Sequence, residues 1–315
     1  MKIFNKIGLV VATLIASLSI GASNNVFAEE IGLGISPGVR RTELDPGVIY
    51  RNSMSVENLS ERTVTVAMHA EPYYVEDFTY DALYDVHNAY TQISKWVSFE
   101  QEEYTIEPHN VVVVNFSVAV PDDAPGGGQY AALFAETQEK DETGTVRPTA
   151  SAGMILMAKI NGETRRQGEI IDVSVPGFLL NPPLEISTTA KNEGNVDETL
   201  AMSVKVEDYF SGNVIHDDAE TPQDATVFPG TSRKVDLSLS SIPRLGVLKV
   251  TVTNSYINDA EIKSRIVFIC PLWFIAVIAL LILTIIARIV TKRRDDRRTR
   301  ANSRNSAGSA DKFNI

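Results

Sequence analysis

The 315-residue sequence predicts an all-β exported region of two tandem β-sandwiches, followed by a single transmembrane helix. Three observations predict this fold: short β-type runs separated by turn residues, an internal repeat within them, and an unbroken apolar run near the C-terminus. The predicted units, in chain order, are a signal peptide (1–28), a first β-sandwich (29–163) with an insertion (71–92), a second β-sandwich (164–262), a transmembrane helix (266–287) and a basic cytoplasmic tail (288–315).

The apolar run from Ile266 to Ala287 contains 22 residues and no charged side chain. A helix of that length rises about 33 Å, which matches a hydrocarbon core of about 30 Å. A buried helix of a globular protein would show a polar face, and this run shows none. Basic side chains follow at once and predict a cytoplasmic C-terminus: Arg288, Lys292, Arg293, Arg294, Arg297, Arg298 and Arg300.

The N-terminus has the pattern of a secretory signal. Lys2 and Lys6 precede the apolar segment 7–22, and Val26-Phe27-Ala28 offers a small-residue cleavage site. An exported N-terminus and an internal C-terminus place residues 29–265 outside the membrane. The predicted topology is therefore a single-pass type I protein of the cell membrane, held in the bilayer by one helix.

Charge is divided unevenly between the two predicted sides of the membrane. Residues 29–287 carry 18 basic and 37 acidic side chains, a formal charge of −19, so nucleic acid is not an expected partner. The tail from Arg288 carries nine basic and three acidic residues and could contact anionic lipid head groups, besides anchoring the topology. The single cysteine, Cys270, lies in the apolar run, so no internal disulfide is expected.

Turn residues divide the first region into β-type runs. The run from Thr63 to Ala70 alternates with a period of two, which is typical of a half-buried strand. Seven or eight such runs over about 130 residues indicate a β-sandwich. The predicted strands are Ile31–Ile35, Ile49–Val56, Thr63–Ala70, Ile93–Phe99, Asn110–Val120, Gln129–Glu136 and Ala152–Ile160.

The same order of turns and strands recurs in the second half of the chain. An asparagine turn precedes a strand in each half, at Asn58 and at Asn192, and a proline opens a later strand, at Pro108 and at Pro229. The polar segment 161–167 separates the two copies. We interpret this as two related domains in tandem, of which only the first contains the insertion.

Four short motifs of the first half follow one another in order: Leu44-Asp45-Pro46-Gly47, Val56-x-Asn58, Val118-Ala119-Val120-Pro121 and Gly128-Gln129-Tyr130. With them, residues 31–136 resemble the WxL-interacting proteins, which are Gram-positive cell-surface proteins. That family has a signal peptide, two immunoglobulin-like domains, one C-terminal helix and a basic tail. The resemblance implies immunoglobulin-like sandwiches that bind a cell-wall polysaccharide or peptidoglycan, a surface protein, or both.

The sequence contains no motif of a catalytic or histidine-based metal site, and we therefore predict a protein that is not an enzyme and has no cofactor. The acidic pairs Asp122-Asp123 and Asp217-Asp218 are typical of turns, and calcium binding is the alternative for them. The four histidines are scattered and predict no metal site: His69, His87, His109 and His216.

The insertion 71–92 mixes aromatic rings with carboxylates, a combination that can stack on sugar rings and hydrogen-bond to hydroxyls or basic groups. The alternative is that these rings cover one end of the sandwich and are buried there. The candidate binding residues are Tyr73, Tyr74, Phe78, Tyr80, Asp81, Tyr84 and Tyr90.

The function predicted from the sequence is adhesion or surface scaffolding, in which a membrane-anchored protein binds wall polymer, a surface protein, or both. Two alternatives remain open. An assembly factor would receive a strand of a secreted client at an unpaired sheet edge. A single-pass sensor would need the tail 288–315 to bind a cytoplasmic protein.

Overall fold

The computed structural model describes residues 32–140, 146–220, 222–257 and 259–310. Their structure is mostly β-sheet and ends in one apolar helix, so the predicted all-β region with a C-terminal helix is confirmed. The predicted signal peptide (1–28) lies outside the described residues. Two pairs of sheets each enclose a hydrophobic core, and we call them the N-terminal and the C-terminal sheet pair.

The N-terminal sheet pair packs a four-stranded sheet, ordered β1-β3-β9-β7, against a five-stranded sheet, ordered β2-β11-β10-β4-β8. Neighbouring strands are antiparallel, except that β2 runs parallel to β11. A separate small hairpin, β5-β6, lies in the insertion. The strands are β1 (Leu33–Ser36), β2 (Val39–Leu44), β3 (Ile49–Asn58), β4 (Val64–Pro72), β5 (Tyr74–Val75), β6 (Ala82–Leu83), β7 (Val97–Phe99), β8 (Glu103–Ile106), β9 (Val111–Ala119), β10 (Gly127–Lys140) and β11 (Val146–Ile160).

The C-terminal sheet pair packs a three-stranded sheet, ordered β12-β14-β18, against a larger sheet, ordered β13-β20-β19-β15-β16, in which β17 also pairs with β15. Alternate residues of β15, such as Leu200, Met202 and Val204, point into the core, as the period of a strand requires. The strands are β12 (Gly168–Ser174), β13 (Phe178–Leu179), β14 (Leu184–Asn192), β15 (Glu198–Asp208), β16 (Val214–Asp217), β17 (Gln223–Val227), β18 (Ser232–Leu239), β19 (Gly246–Tyr256) and β20 (Asp259–Ile269).

One predicted strand is partly wrong. The run Ile93–Phe99 begins with a 3-10 turn over Gln92–Lys95, and only Val97–Phe99 is a strand. The backbone turns here because Ile93 is buried and its N–H donates to the side chain of Gln129, at 3.2 Å, instead of to a neighbouring strand. The short strands β2 and β8 were not predicted, because charged residues interrupt their apolar pattern.

The predicted boundary between the second sandwich and the helix is also wrong. The last strand, β20, continues past residue 262 to Ile269, and the helix α1 (Leu272–Ala310) begins six residues after the predicted start at Ile266. Val267 and Ile269 are buried in the C-terminal core, and the strand pairs with β19 along its whole length. The sequence hides this boundary because apolar strand and apolar helix follow each other with no polar residue between them.

Within the described residues, one segment, Leu272–Arg294, is long and apolar enough to cross a membrane. Only Cys270 and Pro271 separate it from β20. The carbonyl oxygen of Pro271 accepts the first helical hydrogen bonds, from Phe274 and Ile275. The proline thus lies just before the helix, where its missing N–H costs nothing.

Candidate functional site

The insertion lies between the two sheet pairs and contacts the C-terminal one directly. Tyr74 donates its hydroxyl to the carbonyl oxygen of Pro229 at 2.6 Å. The carboxylate of Asp77 accepts the backbone N–H of Ser232 at 2.5 Å, and the N–H of Phe78 donates to the carbonyl of the same serine at 2.8 Å. Residues far apart in the chain are therefore joined by backbone and side-chain hydrogen bonds.

Tyr80 is the centre of a closed ring of three hydrogen bonds. Its hydroxyl accepts the backbone N–H of Phe228 at 3.1 Å and lies 2.7 Å from the hydroxyl of Thr231. Thr231 donates in turn to the carbonyl of Phe228 at 2.9 Å, so Tyr80 must be the donor to Thr231. The guanidinium of Arg233 lies 4.5 Å from the centre of the Tyr80 ring, a cation–π distance.

The aromatic rings of the insertion form a third apolar cluster between the two cores. Tyr74 and Tyr90 stack with their centroids 6.3 Å apart. Burial raises the pKa of Tyr73 and of Tyr80, and it raises the pKa of Tyr74 to about 12. These phenols are therefore neutral hydrogen-bonding groups at physiological pH. The cluster consists of Val75, Tyr130, Met157 and Phe228, with Tyr73, Tyr80, Tyr90 and Ile155 packed against them.

The seven predicted binding residues differ in what a partner can reach. Phe78 and Tyr84 are 51% and 41% exposed, and Asp81 is also exposed. The rings of the other four are half-buried: Tyr73, Tyr74, Tyr80 and Tyr90. The binding role of the set stays a prediction, and the three exposed residues are those that can meet a partner without separation of the sheet pairs.

A second contact between the sheet pairs was not predicted. Tyr130, which is fully buried, donates its hydroxyl to one carboxylate oxygen of Asp197 at 3.0 Å. Arg41 pairs with the other oxygen at 2.7 Å and also donates to the hydroxyl of Thr226. Burial, and next the charge of Asp197, raises the pKa of Tyr130 far above its ordinary value. The sequence predicted Gly128-Gln129-Tyr130 only as a strand motif, because Asp197, the partner of Tyr130, is distant in the chain.

Asn195 connects the linker, which is the polar segment 161–167, to both sheet pairs. Its side-chain amide donates to the carbonyls of Gly126, at 3.0 Å, and Glu163, at 2.9 Å, while its side-chain oxygen accepts the N–H of Arg165 at 2.7 Å. Its carbonyl accepts the N–H of Gly128 at 2.7 Å. The glycine run 126–128 is needed here, since a side chain on Gly127 would lie only 2.6 Å from the carbonyl oxygen of Asn195. The linker is thus held by Asn195 at Glu163 and at Arg165.

A charged cleft of about 510 Å³ opens beside these contacts. In its wall, Arg166 binds Glu198 with two parallel hydrogen bonds of 2.5 and 2.6 Å. Lys159 and Glu43 form an exposed ion pair of 3.2 Å across the cleft-lining strands. Its charged groups are thus already paired, which leaves little unsatisfied charge for a ligand.

An open depression of about 710 Å³ lies on the outer face of the four-stranded sheet, and we call it the β3 trough. Small hydroxyl side chains form its floor, and Ser98 and Ser117 lie 2.9 Å apart across two strands. The amide of Asn115 donates to Glu100 at 2.7 Å. Its lining is Arg40, Arg51, Asn52, Ser53, Ser98, Phe99, Glu100, Asn115, Phe116 and Ser117.

One side of the trough is an open sheet edge. The edge strand β1 pairs only with residues 55–58 of β3, and no strand among the described residues pairs with residues 49–54 on that side. The chain leaves this sheet after Ser36, and β2 joins the opposite sheet. A guanidinium nitrogen of Arg40 donates to the carbonyl of Ser53 at 2.9 Å, so that carbonyl faces the open side.

Backbone direction along β3 follows from this contact. Alternate residues of a strand present their N–H and C=O groups to the same edge, so Arg51 and Ile49 also face the open side with Ser53. Ile49 is 59% exposed. The Nε atom of Arg40 is buried beside this edge and has no hydrogen-bond partner in the described part of the chain. An unpaired buried donor and an unpaired strand edge therefore lie together.

The described residues contain no group of three or more histidine, cysteine or acidic side chains that could hold a metal ion. Carboxylates of both predicted acidic turns make contacts within the fold. Asp218 accepts the backbone N–H of Val204 at 2.5 Å, and Asp217 accepts that of Ala219 at 3.1 Å. The carboxylate of Asp122 lies against Gly47.

No protein-family model matches the sequence, and no curated protein matches it. Solved structures with some likeness include the class 5 fimbriae chaperone CfaA, which is 10% identical, with 74% of this chain and 99% of that chain covered and a TM-score of 0.39. The chaperone YadV is 10% identical, with 75% and 99% covered and a TM-score of 0.37. The CsuC–CsuE chaperone–tip adhesion subunit complex of Acinetobacter baumannii is 11% identical, with 74% and 98% covered and a TM-score of 0.35. At TM-scores this low, the likenesses carry no argument about this chain.

Proposed function

We propose that this chain is a non-catalytic, membrane-anchored surface protein that binds an extended segment of a partner protein by strand addition at the open edge of β3. The observation that carries the proposal is the unpaired half-strand 49–54, beside the unsatisfied Nε atom of Arg40. An added strand would pair its backbone with Arg51, and one of its carbonyls would accept from Arg40. The proposal thus favours the assembly or partner-capture alternative over wall adhesion.

Anchoring is the second part of the proposal. The apolar helix follows β20 after two residues, so the C-terminal sheet pair stands directly on the membrane. The N-terminal sheet pair is attached at the other end of β20 and β19, about 35 Å further out for an eleven-residue strand. We place the C-terminus in the cytoplasm, because the basic cluster after the span favours that side.

The layout also agrees with the resemblance to WxL-interacting proteins, which remains a proposal. Two immunoglobulin-like sandwiches, one helix and a basic tail are what that resemblance implies. Within this proposal the second sheet pair is a rigid stalk, and the first sheet pair carries the binding edge.

Strand addition can be tested with a proline that removes one N–H. Arg51→Pro deletes a donor that faces the open side, while the β9 side of the sheet keeps its hydrogen bonds. Arg51→Ala is the matched control, because it removes the same side chain and keeps the N–H. We expect a library of extended decapeptides, displayed on phage, to yield binders of the full chain in nanodiscs that Arg51→Pro no longer binds.

Binding that survives Arg51→Pro, or that is lost equally in Arg51→Ala, would contradict strand addition. Folding of both variants is checked by their melting temperatures, which should lie within a few degrees of the unmodified chain. Asn52→Pro is the control for a proline that breaks the sheet, since the N–H of Asn52 faces β9.

A second candidate function is binding of wall polymer in the β3 trough. Its support is the polar floor of Ser98, Ser117 and Asn115, whose hydroxyl and amide groups suit a polysaccharide. If the trough binds wall polymer, the fraction of protein that co-sediments with purified cell wall should fall in both Arg51→Ala and Asn115→Ala. The exposed pair Phe78→Ala and Tyr84→Ala tests the insertion in the same assay, and unchanged retention would remove the insertion as a polymer site.

A further inference from the structure

The loop between β15 and β16 presents an aromatic ring to solvent. Phe210 is 80% exposed and Tyr209 is 49% exposed. The two rings pack edge to face, with centroids 5.3 Å apart and planes at 87°. A pair of large aromatic rings held out in water, beside other exposed apolar side chains, is typical of a surface that something covers.

The loop is held in one conformation. The carboxylate of Asp208 accepts the backbone N–H of Phe210 at 3.1 Å and that of Ser211 at 2.8 Å, together with the hydroxyl of Ser211 at 2.9 Å. These hydrogen bonds lower the pKa of Asp208. Tyr209 donates its N–H to the carbonyl of Val247, and Gly212 adopts the left-handed φ of +70° that closes the turn. Phe210 is therefore exposed by an ordered turn.

Strand register places this loop at the membrane end of the C-terminal sheet pair. Asp208 lies opposite Leu248 on β19, and Gly246, at the start of β19, lies opposite Ile269 on β20. The loop thus projects from the same end of the sheet as the link to α1. The link is itself held to the sheet, because the N–H of Cys270 donates to the carbonyl of Leu179.

The whole of this end is apolar and nearly free of charge. Four segments at this end, 176–183, 209–213, 240–245 and 266–271, contain one charged residue, Arg244, and the carboxylate of Asp208 at the start of the loop is hydrogen-bonded within the turn. The exported region as a whole has a formal charge of −19, so this end departs sharply from its surroundings. Exposed apolar side chains at this end are Phe178, Leu180, Tyr209, Phe210, Val214, Leu245, Ile266 and Phe268.

We propose that this end of the sheet pair rests in the head-group region of the bilayer, and that Phe210 and Tyr209 insert there beside α1. The inference rests on the proposed membrane anchoring, because only two residues separate β20 from the membrane helix. Aromatic rings favour the membrane interface, where Trp273 and Phe274 of the same helix would also lie. Two contacts with the bilayer, the helix and the loop, would fix the tilt of the exported region.

Depth-dependent fluorescence quenching tests this contact on the full chain. In a background that carries both Trp96→Phe and Trp273→Phe, Phe210→Trp reports on the loop, and Ile262→Trp reports on a 66% exposed site of β20 about 23 Å above Ile269. The chain is placed in phosphatidylcholine nanodiscs whose acyl chains carry bromine near the head group. We expect at least a twofold loss of tryptophan emission for Phe210→Trp and less than a tenth for Ile262→Trp.

The native Trp273, measured as the one tryptophan of a Trp96→Phe chain, separates this inference from the anchoring on which it depends. Quenching of native Trp273 without quenching of Phe210→Trp would overturn the loop contact and leave the anchor in place. If neither is quenched, the anchor fails, and the inference fails with it. Tyr209→Trp gives an independent reading of the same loop if Phe210→Trp does not fold, and unquenched emission there has the same meaning.

Discussion

The turn that follows the third strand of the first sheet pair recurs in the second, built around Asn58 in one and Asn192 in the other. Both asparagines are fully buried. Each side-chain amide donates to the carbonyl four residues later, at 2.7 Å, and to a carbonyl of a more distant strand or loop, at 3.0 and 2.9 Å. Each side-chain oxygen accepts the N–H two residues later. The hydrogen bonds therefore agree with the internal repeat.

The repeated prolines occupy matching places as well. The N–H of Asn58 donates to the carbonyl two residues after Pro108, and the N–H of Asn192 donates to the carbonyl two residues after Pro229. Between each proline and that carbonyl is one residue with a left-handed φ. It is His109, at +56°, in the first copy and Gly230, at +78°, in the second.

The surroundings of the two turns differ. Glu61 and His109 of the first turn face solvent, and a carboxylate oxygen of Glu61 lies 3.1 Å from Nε2 of His109. In the second turn, Asn195 bonds the linker and Tyr74 of the insertion covers Pro229. The same turn thus faces solvent in the N-terminal sheet pair. In the C-terminal sheet pair it faces the N-terminal one. The insertion is what converts a repeated turn into an interface.

The largest expected effect is the loss of either asparagine. Asn58→Ala and Asn192→Ala each remove at least three hydrogen bonds of a buried amide, and we expect each to lower the free energy of unfolding by about 3 kcal/mol. Urea unfolding of the full chain in detergent micelles measures this. Only Asn192→Ala should also speed proteolysis within residues 71–92, because its turn holds the insertion. Equal cleavage rates in the two variants would contradict the difference in their surroundings.

A smaller effect is expected from the interface alone. Tyr80→Phe keeps the ring in place and removes the hydroxyl that joins Phe228 to Thr231. Since a buried N–H then lacks a partner, we expect a loss of about 1–2 kcal/mol in urea unfolding. Tyr84→Phe is the control: its ring is more exposed, and the change should stay within about 0.5 kcal/mol. Equal losses would show that the hydroxyl of Tyr80 does not join the sheet pairs.

Local patterns were sufficient to predict much of the fold. The runs that became β3, β4, β9 and β11 were found because they are short apolar or alternating runs that turn residues bound. The chain from Ile266 onward was misjudged, because a buried strand and a membrane helix are equally apolar there. Length alone did not separate the two elements.

The candidate site was harder to predict, because its contacts join distant segments. The insertion was noticed by its composition, but neither its position against Phe228 nor the pair of Tyr130 with Asp197 leaves any local signal. The open edge of β3 depends on where the chain changes sheets after Ser36, which the alternation within a strand does not record. Sequence thus indicated which residues are unusual, and topology decided what they contact.

The smallest expected effect concerns the two left-handed residues. A side chain in that conformation costs about 1–2 kcal/mol, and His109 bears this cost where Gly230 does not. His109→Gly removes the strain but makes the unfolded chain more flexible and loses the exposed pair with Glu61, so we expect a net gain of only about 0.5 kcal/mol. Gly230→Ala should lose about 1 kcal/mol, since its new Cβ is strained and lies 3.3 Å from the Tyr74 hydroxyl. Thermal unfolding of the two variants should therefore shift in opposite directions. Shifts of the same sign would mean that the two turns are not equivalent in energy despite their shared hydrogen bonds.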